Sequence, residues 1–229
     1  MGVCDTNKQQ NSLINRGIIQ ELPQVPKKKN KTEDNDSQGY KTIPIELIMK
    51  SEKSICKINH GNESGTGFFL EYNSNYYLVT NYHVVSEVIN NIEIEIWNKN
   101  LTKLNLNNRN IKFLPRPKDI TAIQINPNEI KDIEYLKYDL ISERGYNQYL
   151  NKYAICIGYP SGDLSAQSGQ IKEIDKFELY YDIPTEVGSS GSPIILFNSF
   201  VIGIHKLAND EKRLNKGTFI YELIKEIKI

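Results

Sequence analysis

The 229-residue chain has three cysteines, three histidines and one tryptophan. Cys4, Cys56 and Cys156 are too few and too scattered for a disulfide framework, and no Cys/His cluster has metal-ligand spacing. That pattern suits a reducing compartment. Long apolar runs are missing as well: the start, MGVCDTNKQQ, is polar where a signal peptide has an apolar core, and no later stretch reaches the length of a spanning helix. The expectation is a cytosolic chain, for which the Asn-X-Ser/Thr triplets at Asn30, Asn62 and Asn100 carry no meaning as glycosylation sites. Charge of one sign is absent too. Lys+Arg and Asp+Glu both total 28, so there is no general attraction to nucleic acid. No fixed internal period is visible, which excludes propellers and solenoids.

Residues 1–42 combine Asn, Gln, Lys, Asp and Ser with almost no apolar periodicity and include KKKNK at 27–31. They read as a disordered tail. From Ile43 the texture changes to segments of four to eight residues rich in Ile, Val, Tyr and Phe, separated by Asn, Gly, Pro and Asp. About a dozen such segments, from SICKI and GFFLEY to FVIGIH and GTFIY, predict an all-β domain over 43–229 with strands enough for two six-stranded barrels. YNSNY (72–76) predicts a hairpin turn. YELIKEIKI at 221–229 places Leu223, Ile224 and Ile227 on one face and predicts a packing helix.

TEVGSSGSPI (185–194) gathers three serines with Gly and Pro ahead of an apolar run. A polar turn has this composition, and so does a nucleophile loop. A nucleophile needs a base and an orienting carboxylate. Of the histidines at 60, 83 and 205, His60 lies in the turn-like HGNESG and reads as an exposed loop residue, whereas His83 ends the apolar strand YYLVT and can be held rigidly at a cleft. Asp119 opens the strand ITAIQI and is suitably placed to orient an imidazole; Asp139 in KYDLIS competes with a weaker strand after it. A strand-end His and a strand-start Asp are also ordinary structural residues. Their order adds information, because His83, Asp119 and a serine near 190 follow the His, Asp, Ser order of one triad arrangement and not the others.

The stretches GTGFFL (65–70), YLVTNYHVV (77–85), KDITAIQI (118–125), IGYPSGD (157–163), GSSGSPIILF (188–197) and VIGIHK (201–206) together resemble the trypsin-like serine proteases of chymotrypsin-like double-barrel fold, from about residue 52 to the end. The resemblance implies Ser190 as nucleophile, with Ser189 in a variable slot and Ser192 in a small-residue position. It further implies His83 as base, Asp119 as its orienter and the backbone amides of Gly188 and Ser190 as oxyanion hole. Protein or peptide would be the substrate, no cofactor or metal would be needed, and two peptides would be the products. Ser189 stands where digestive members carry an Asp that pairs with a new N-terminus. No Ile-Val-Gly-Gly-like activation site precedes the domain, so activity without that cleavage is implied. YDIPTEVGSSGSP with VIGIHK is similar to the glutamyl endopeptidases, whose S1 pocket would place Thr185 and His205 on the carboxylate of a P1 Glu. Lys206-Leu-Ala and Pro184 and Glu186 depart from that pocket, and His205 also reads as a strand-end cap.

MGVCDT fits the N-myristoylation pattern at Gly2, with Cys4 placed for palmitoylation and KKKNK adding positive charge. The other reading is a solvated tail with a chance Gly2. The chain's end at 229 sets the expectation that no PDZ-like module follows. Two other functions stand beside the endopeptidase: a catalytically inactive protease-fold protein that binds peptides or partners, and an esterase. The esterase would need a Gly-x-Ser-x-Gly elbow and alternating strands and helices, which are missing.

Overall fold

The apolar runs are continuous because their strands are buried on both faces. In GFFLEY, Phe68, Leu70 and Tyr72 enter one buried cluster and Phe69 another; in YAICIG, Ile155 and Ile157 enter the first cluster, and Ala154 and Cys156 a third. Successive side chains of a strand leave on opposite faces, so a strand between two cores shows no polar alternation. The computed structural model describes residues 42–209 and 212–228. The expectations for the tail, Gly2 and Cys4 included, lie outside the described residues.

The C-terminal lobe is a closed barrel. Its strands β9 (Tyr153–Gly158), β10 (Ser165–Asp175), β11 (Glu178–Tyr181), β12 (Pro193–Leu196), β13 (Phe200–Asn209) and β14 (Leu214–Phe219) pair antiparallel in the order β9-β10-β11-β14-β13-β12 and back to β9. Closure leaves no unpaired edge. The N-terminal lobe comprises β1 (Ile55–His60), β2 (Glu63–Tyr72), β3 (Asn75–Thr80), β4 (Asn91–Ile96), β5 (Leu101–Asn105), β6 (Ile111–Leu114) and β7 (Ile120–Ile125). Its ladder runs β6-β7-β3-β2-β1-β4-β5. Ile94 and Leu104 from one end and Ile123 from the other share one cluster, so the ladder bends around a common core although β5 and β6 do not pair. The short β8 (Leu136–Tyr138) runs parallel to both β2 and β13 and stitches the lobes together. The first cluster fills the space between the lobes and takes in the C-terminal helix α2 (Tyr221–Ile227) through Leu223 and Ile224. This is the chymotrypsin-like arrangement.

The YNSNY turn joins β2 to β3, with Asn73 and Ser74 at φ 48° and 59°, the left-handed pair of a tight hairpin. Three elements had no visible signal. Helix α1 (Ile45–Glu52) buries only Leu47 and Ser51, one turn apart, and leaves Ile45 and Met49 exposed. Strand β5 buries Leu104 alone, and β8 is three residues long. Too few apolar positions are used in each to leave a period.

Candidate active site

His83 and Asp119 are brought together by adjacent strands. The β3–β7 register sets Thr80 opposite Thr121, so the residues just beyond Thr80 meet those just before Thr121. After β3 the chain turns, with the amides of Val84 and Val85 both donating to the Asn81 carbonyl. Thr121 Oγ1 donates to the Val85 carbonyl at 2.7 Å, and His60 Nε2 donates to the Val84 carbonyl at 2.7 Å. His60 is therefore a half-buried strand-end residue that pins the His83 turn, and the expectation of an exposed loop histidine is corrected. Its polar sequence neighbours gave no hint of an acceptor 24 residues away.

Asp119 is 2% exposed and sits at φ 61°, a left-handed conformation that Asp tolerates better than most residues. Its Oδ2 is 2.7 Å from His83 Nδ1, its Oδ1 accepts from the His83 backbone amide at 3.0 Å, and its carbonyl accepts from Asn81 Nδ2 at 2.9 Å. Burial alone would raise the Asp119 carboxyl; the hydrogen bonds and charge of His83, with the charge of Lys206, outweigh it and hold the group below its ordinary 3.8. A carboxylate only accepts, so His83 Nδ1 carries a proton and the lone pair of a neutral ring lies on Nε2. The ring is about one-third exposed. Asp139 is used elsewhere: it caps a 3-10 turn at Leu140–Arg144 and accepts from Tyr149.

The Ser190 loop docks on β2. Thr66 N–H donates to the Ser190 carbonyl at 2.8 Å, and Thr66 Oγ1 donates to the Gly188 carbonyl at 2.9 Å and accepts from the Tyr159 amide. Gly188 and Gly191 have φ 96° and 87°, and a Cβ at Gly191 would lie 2.0 Å from the Thr66 carbonyl oxygen. Only glycine fits such an approach. The amides of Ser189, Gly191 and Ser192 donate to the carbonyls of Glu186, His205 and Ser189. Those of Gly188 and Ser190 have no acceptor among the described residues. The Val187 carbonyl accepts from Ser161 and the Ser189 carbonyl from Ser192; in a trans peptide N–H and C=O oppose each other, so the two spare amide protons point away from those bonds. The Ser190 hydroxyl donates to the Lys206 carbonyl at 3.4 Å, a long bond. The hydrogen bonds of the described residues include none between Ser190 and His83.

Thr185 and His205 differ in exposure and in partners. Thr185 helps line a cleft of about 200 Å³ beside the Ser190 loop, with Cys156, Gly158, Ser165, Ser189 and Ser192 among its walls. His205 is 3% exposed, and its Nδ1 lies 2.6 Å from the Tyr181 hydroxyl. Burial, aided by the charge of His83, pushes the His205 imidazolium down to about 3, so the ring is neutral. Thr66 and Asn81 were not singled out in the sequence, and Lys206 stood there only as a departure from a pocket. Each acts through a partner far along the chain, and a lone residue type carries no such information. Among the described residues, no group of three or more His, Cys, Asp and Glu is placed to hold a metal ion.

A two-lobed β fold with a buried aspartate bonded to a partly exposed histidine, and a glycine-rich serine loop docked on β2, defines a class, and the comparisons agree with it. The trypsin-like peptidase domain family matches residues 65–204, more than half of the chain, and the protein belongs to that family. Among solved structures it is similar to the serine endoprotease from Yersinia pestis, at 14% identity and TM-score 0.64 over 82% of this chain and 67% of that one. It is also similar to the inactive form of the Rv3671c protease from M. tuberculosis, at 19% identity and TM-score 0.61 over 80% and 91% of the two chains. At these identities the structural likeness concerns the fold.

Proposed function

We propose that the protein is a serine endopeptidase in which Ser190 is the nucleophile, His83 the general base and Asp119 its orienter. The observation that carries this reading is the twofold hold of Asp119 on His83, through Nδ1 at 2.7 Å and the backbone amide at 3.0 Å, in a chain of the trypsin-like peptidase family. In the reaction, rotation about the Ser190 Cα–Cβ bond takes the hydroxyl from the Lys206 carbonyl to His83 Nε2. Oγ attacks the scissile carbonyl carbon as its proton passes to Nε2, and the new oxyanion accepts from the amides of Gly188 and Ser190. His83 then gives the proton to the leaving nitrogen as the C–N bond breaks. Water repeats the sequence on the acyl-enzyme and frees Ser190.

Intact-mass analysis of the full chain after a fluorophosphonate probe tests this. One adduct is expected on wild type and on Ser192→Ala, and none on Ser190→Ala. The hydroxyl bonded to Lys206 and not to His83 favours a second reading, a peptide-binding protein of protease fold. Well-folded wild type that takes no label would establish that one.

The substrate preference proposed is Glu at P1. Tyr181 keeps its proton far above the usual range through burial; as donor to His205 Nδ1 it leaves the imidazole proton on Nε2. A neutral Nε2–H and the Thr185 hydroxyl are the two donors that a substrate carboxylate would take. Comparable kcat/KM for matched Glu and Gln peptides would sink the preference. The remaining proposals concern organisation: a peptidase domain over 43–229 behind a tail that is acylated at Gly2 and Cys4 and held to the cytosolic face of a membrane. An unchanged membrane fraction for Gly2→Ala, in cells that acylate such termini, counts against the anchor.

A further inference from the structure

Lys206 follows His205 on β13, yet its side chain is 4% exposed. Its Nζ donates to Glu178 Oε1 at 2.6 Å and to the Pro117 carbonyl at 2.9 Å. Glu178 lies on β11, and its second oxygen holds Lys216 Nζ at 2.6 Å, so one carboxylate fixes two ammonium groups. Pro117 is two residues before Asp119. The next carbonyl, that of Lys118, accepts from Thr218 Oγ1 of β14 at 2.7 Å, and that of Asp119 accepts from Asn81. Three consecutive carbonyls are thus held, the first two from the C-terminal lobe. A residue in the left-handed region persists where its surroundings over-determine it. The Lys206 carbonyl is also the acceptor of the Ser190 hydroxyl, so this one residue touches both halves of the site.

Stability alone is a weak reason for such a group, because a buried ion pair is commonly replaced by apolar residues at little cost. We propose that Lys206 is a positioning residue for Asp119: its ammonium, fixed by Glu178, ties the Pro117–Asp119 turn to the C-terminal lobe and sets the carboxylate on His83. The inference rests on the peptidase reading. The titratable groups that act on this carboxylate are His83 on its own lobe and Lys206 on the other, with Glu178 and Lys216 behind Lys206. In Lys206→Met the Glu178 carboxylate keeps Lys216, which favours folding. Lys206→Gln keeps an N–H donor without charge and serves if Lys206→Met does not fold.

The test follows the titration of the Asp119 carboxyl by carbon-13 NMR and the rate of fluorophosphonate labelling, in the full chain, for wild type and variant. The Asp119 midpoint should rise and labelling should slow by about 100-fold, the scale of a roughly 1 Å misplacement of a catalytic group. A folded variant in which either quantity is unmoved overturns the proposal, and a loss of thermal stability by itself does not support it. If wild type takes no label, the peptidase reading fails, and the Asp119 midpoint alone then decides whether Lys206 sets that carboxylate.

Discussion

His83 and Asp119 both come from the N-terminal lobe and meet in two hydrogen bonds of 2.7 and 3.0 Å, whereas Ser190 comes from the C-terminal lobe and donates across 3.4 Å to that lobe's own Lys206. The His83–Asp119 pair rides on neighbouring strands, β3 and β7, each buried on both faces, so a one-residue slip of their register would send every core side chain to the wrong core. Its geometry is therefore fixed as firmly as the core. The serine hydroxyl has one free torsion, and the base proposed for it lies across the seam between lobes. Catalytic hydrogen bonds of this kind are often loose before substrate is bound. A lobe can finish the part of a site that lies within one sheet; a part shared between lobes waits on docking and substrate.

The largest effect that can break this comparison is Ser190→Ala, expected to cost on the order of 10⁶-fold in kcat, with Ser190→Ala/His83→Ala no worse because the two residues act as a unit. A double variant much slower than either single one would mean that the halves work independently. Asp119→Asn, which keeps the shape of the pair and changes the His83 tautomer, should lower kcat by roughly 10⁴-fold; a loss of only a few-fold would make Asp119 structural. Gly188→Ala places a Cβ 2.4 Å from the Tyr159 carbonyl oxygen at φ 96°. Displacing one oxyanion amide in this way should cost roughly 100- to 1,000-fold in kcat with a smaller change in KM, and steady-state kinetics will separate the two.

Smaller changes sharpen the comparison at the seam. Thr66→Val removes the bonds to the Gly188 carbonyl and from the Tyr159 amide, leaving buried groups unpaired at a cost of about 1–3 kcal/mol. Urea unfolding should show that loss, together with a modest fall in kcat. The pH dependence is the smallest effect. Because the Asp119 carboxyl is held below its ordinary 3.8, its contribution to stability is complete above that value and fades as pH falls through the lower folded value. In Asp119→Asn this acid-side slope should be shallower in a melting-temperature series; an unchanged slope would mean that the pair contributes nothing to stability.

Much of the fold was legible because the strands are apolar and short, and their turns carry Asn, Gly and Pro. The twelve apolar segments all fall on strands, while α1, β5 and β8 bury too little to show a period. The candidate site was read from its motif residues. His83, Asp119 and Ser190 stand in recognisable strings, and the structure sets the first two in contact. His60 was misjudged because its local setting is polar while its partner, the Val84 carbonyl, belongs to another turn. Thr185 and His205 were paired by motif; Thr185 lines the cleft beside the Ser190 loop, and the Tyr181 hydroxyl that meets His205 Nδ1 carried no signal in the sequence.

By itself the sequence determined the β-rich texture, the order of the motifs and the placing of glycine at 188 and 191. These are local properties, set by strand period and by the backbone angles that a residue can adopt. Tertiary structure alone decided that Asp119 is enclosed, that Thr66 anchors the Ser190 loop, and that a lysine 87 positions away holds the turn carrying Asp119. Each of those depends on groups distant in sequence coming within about 3 Å, and only the docking of the two lobes sets such distances.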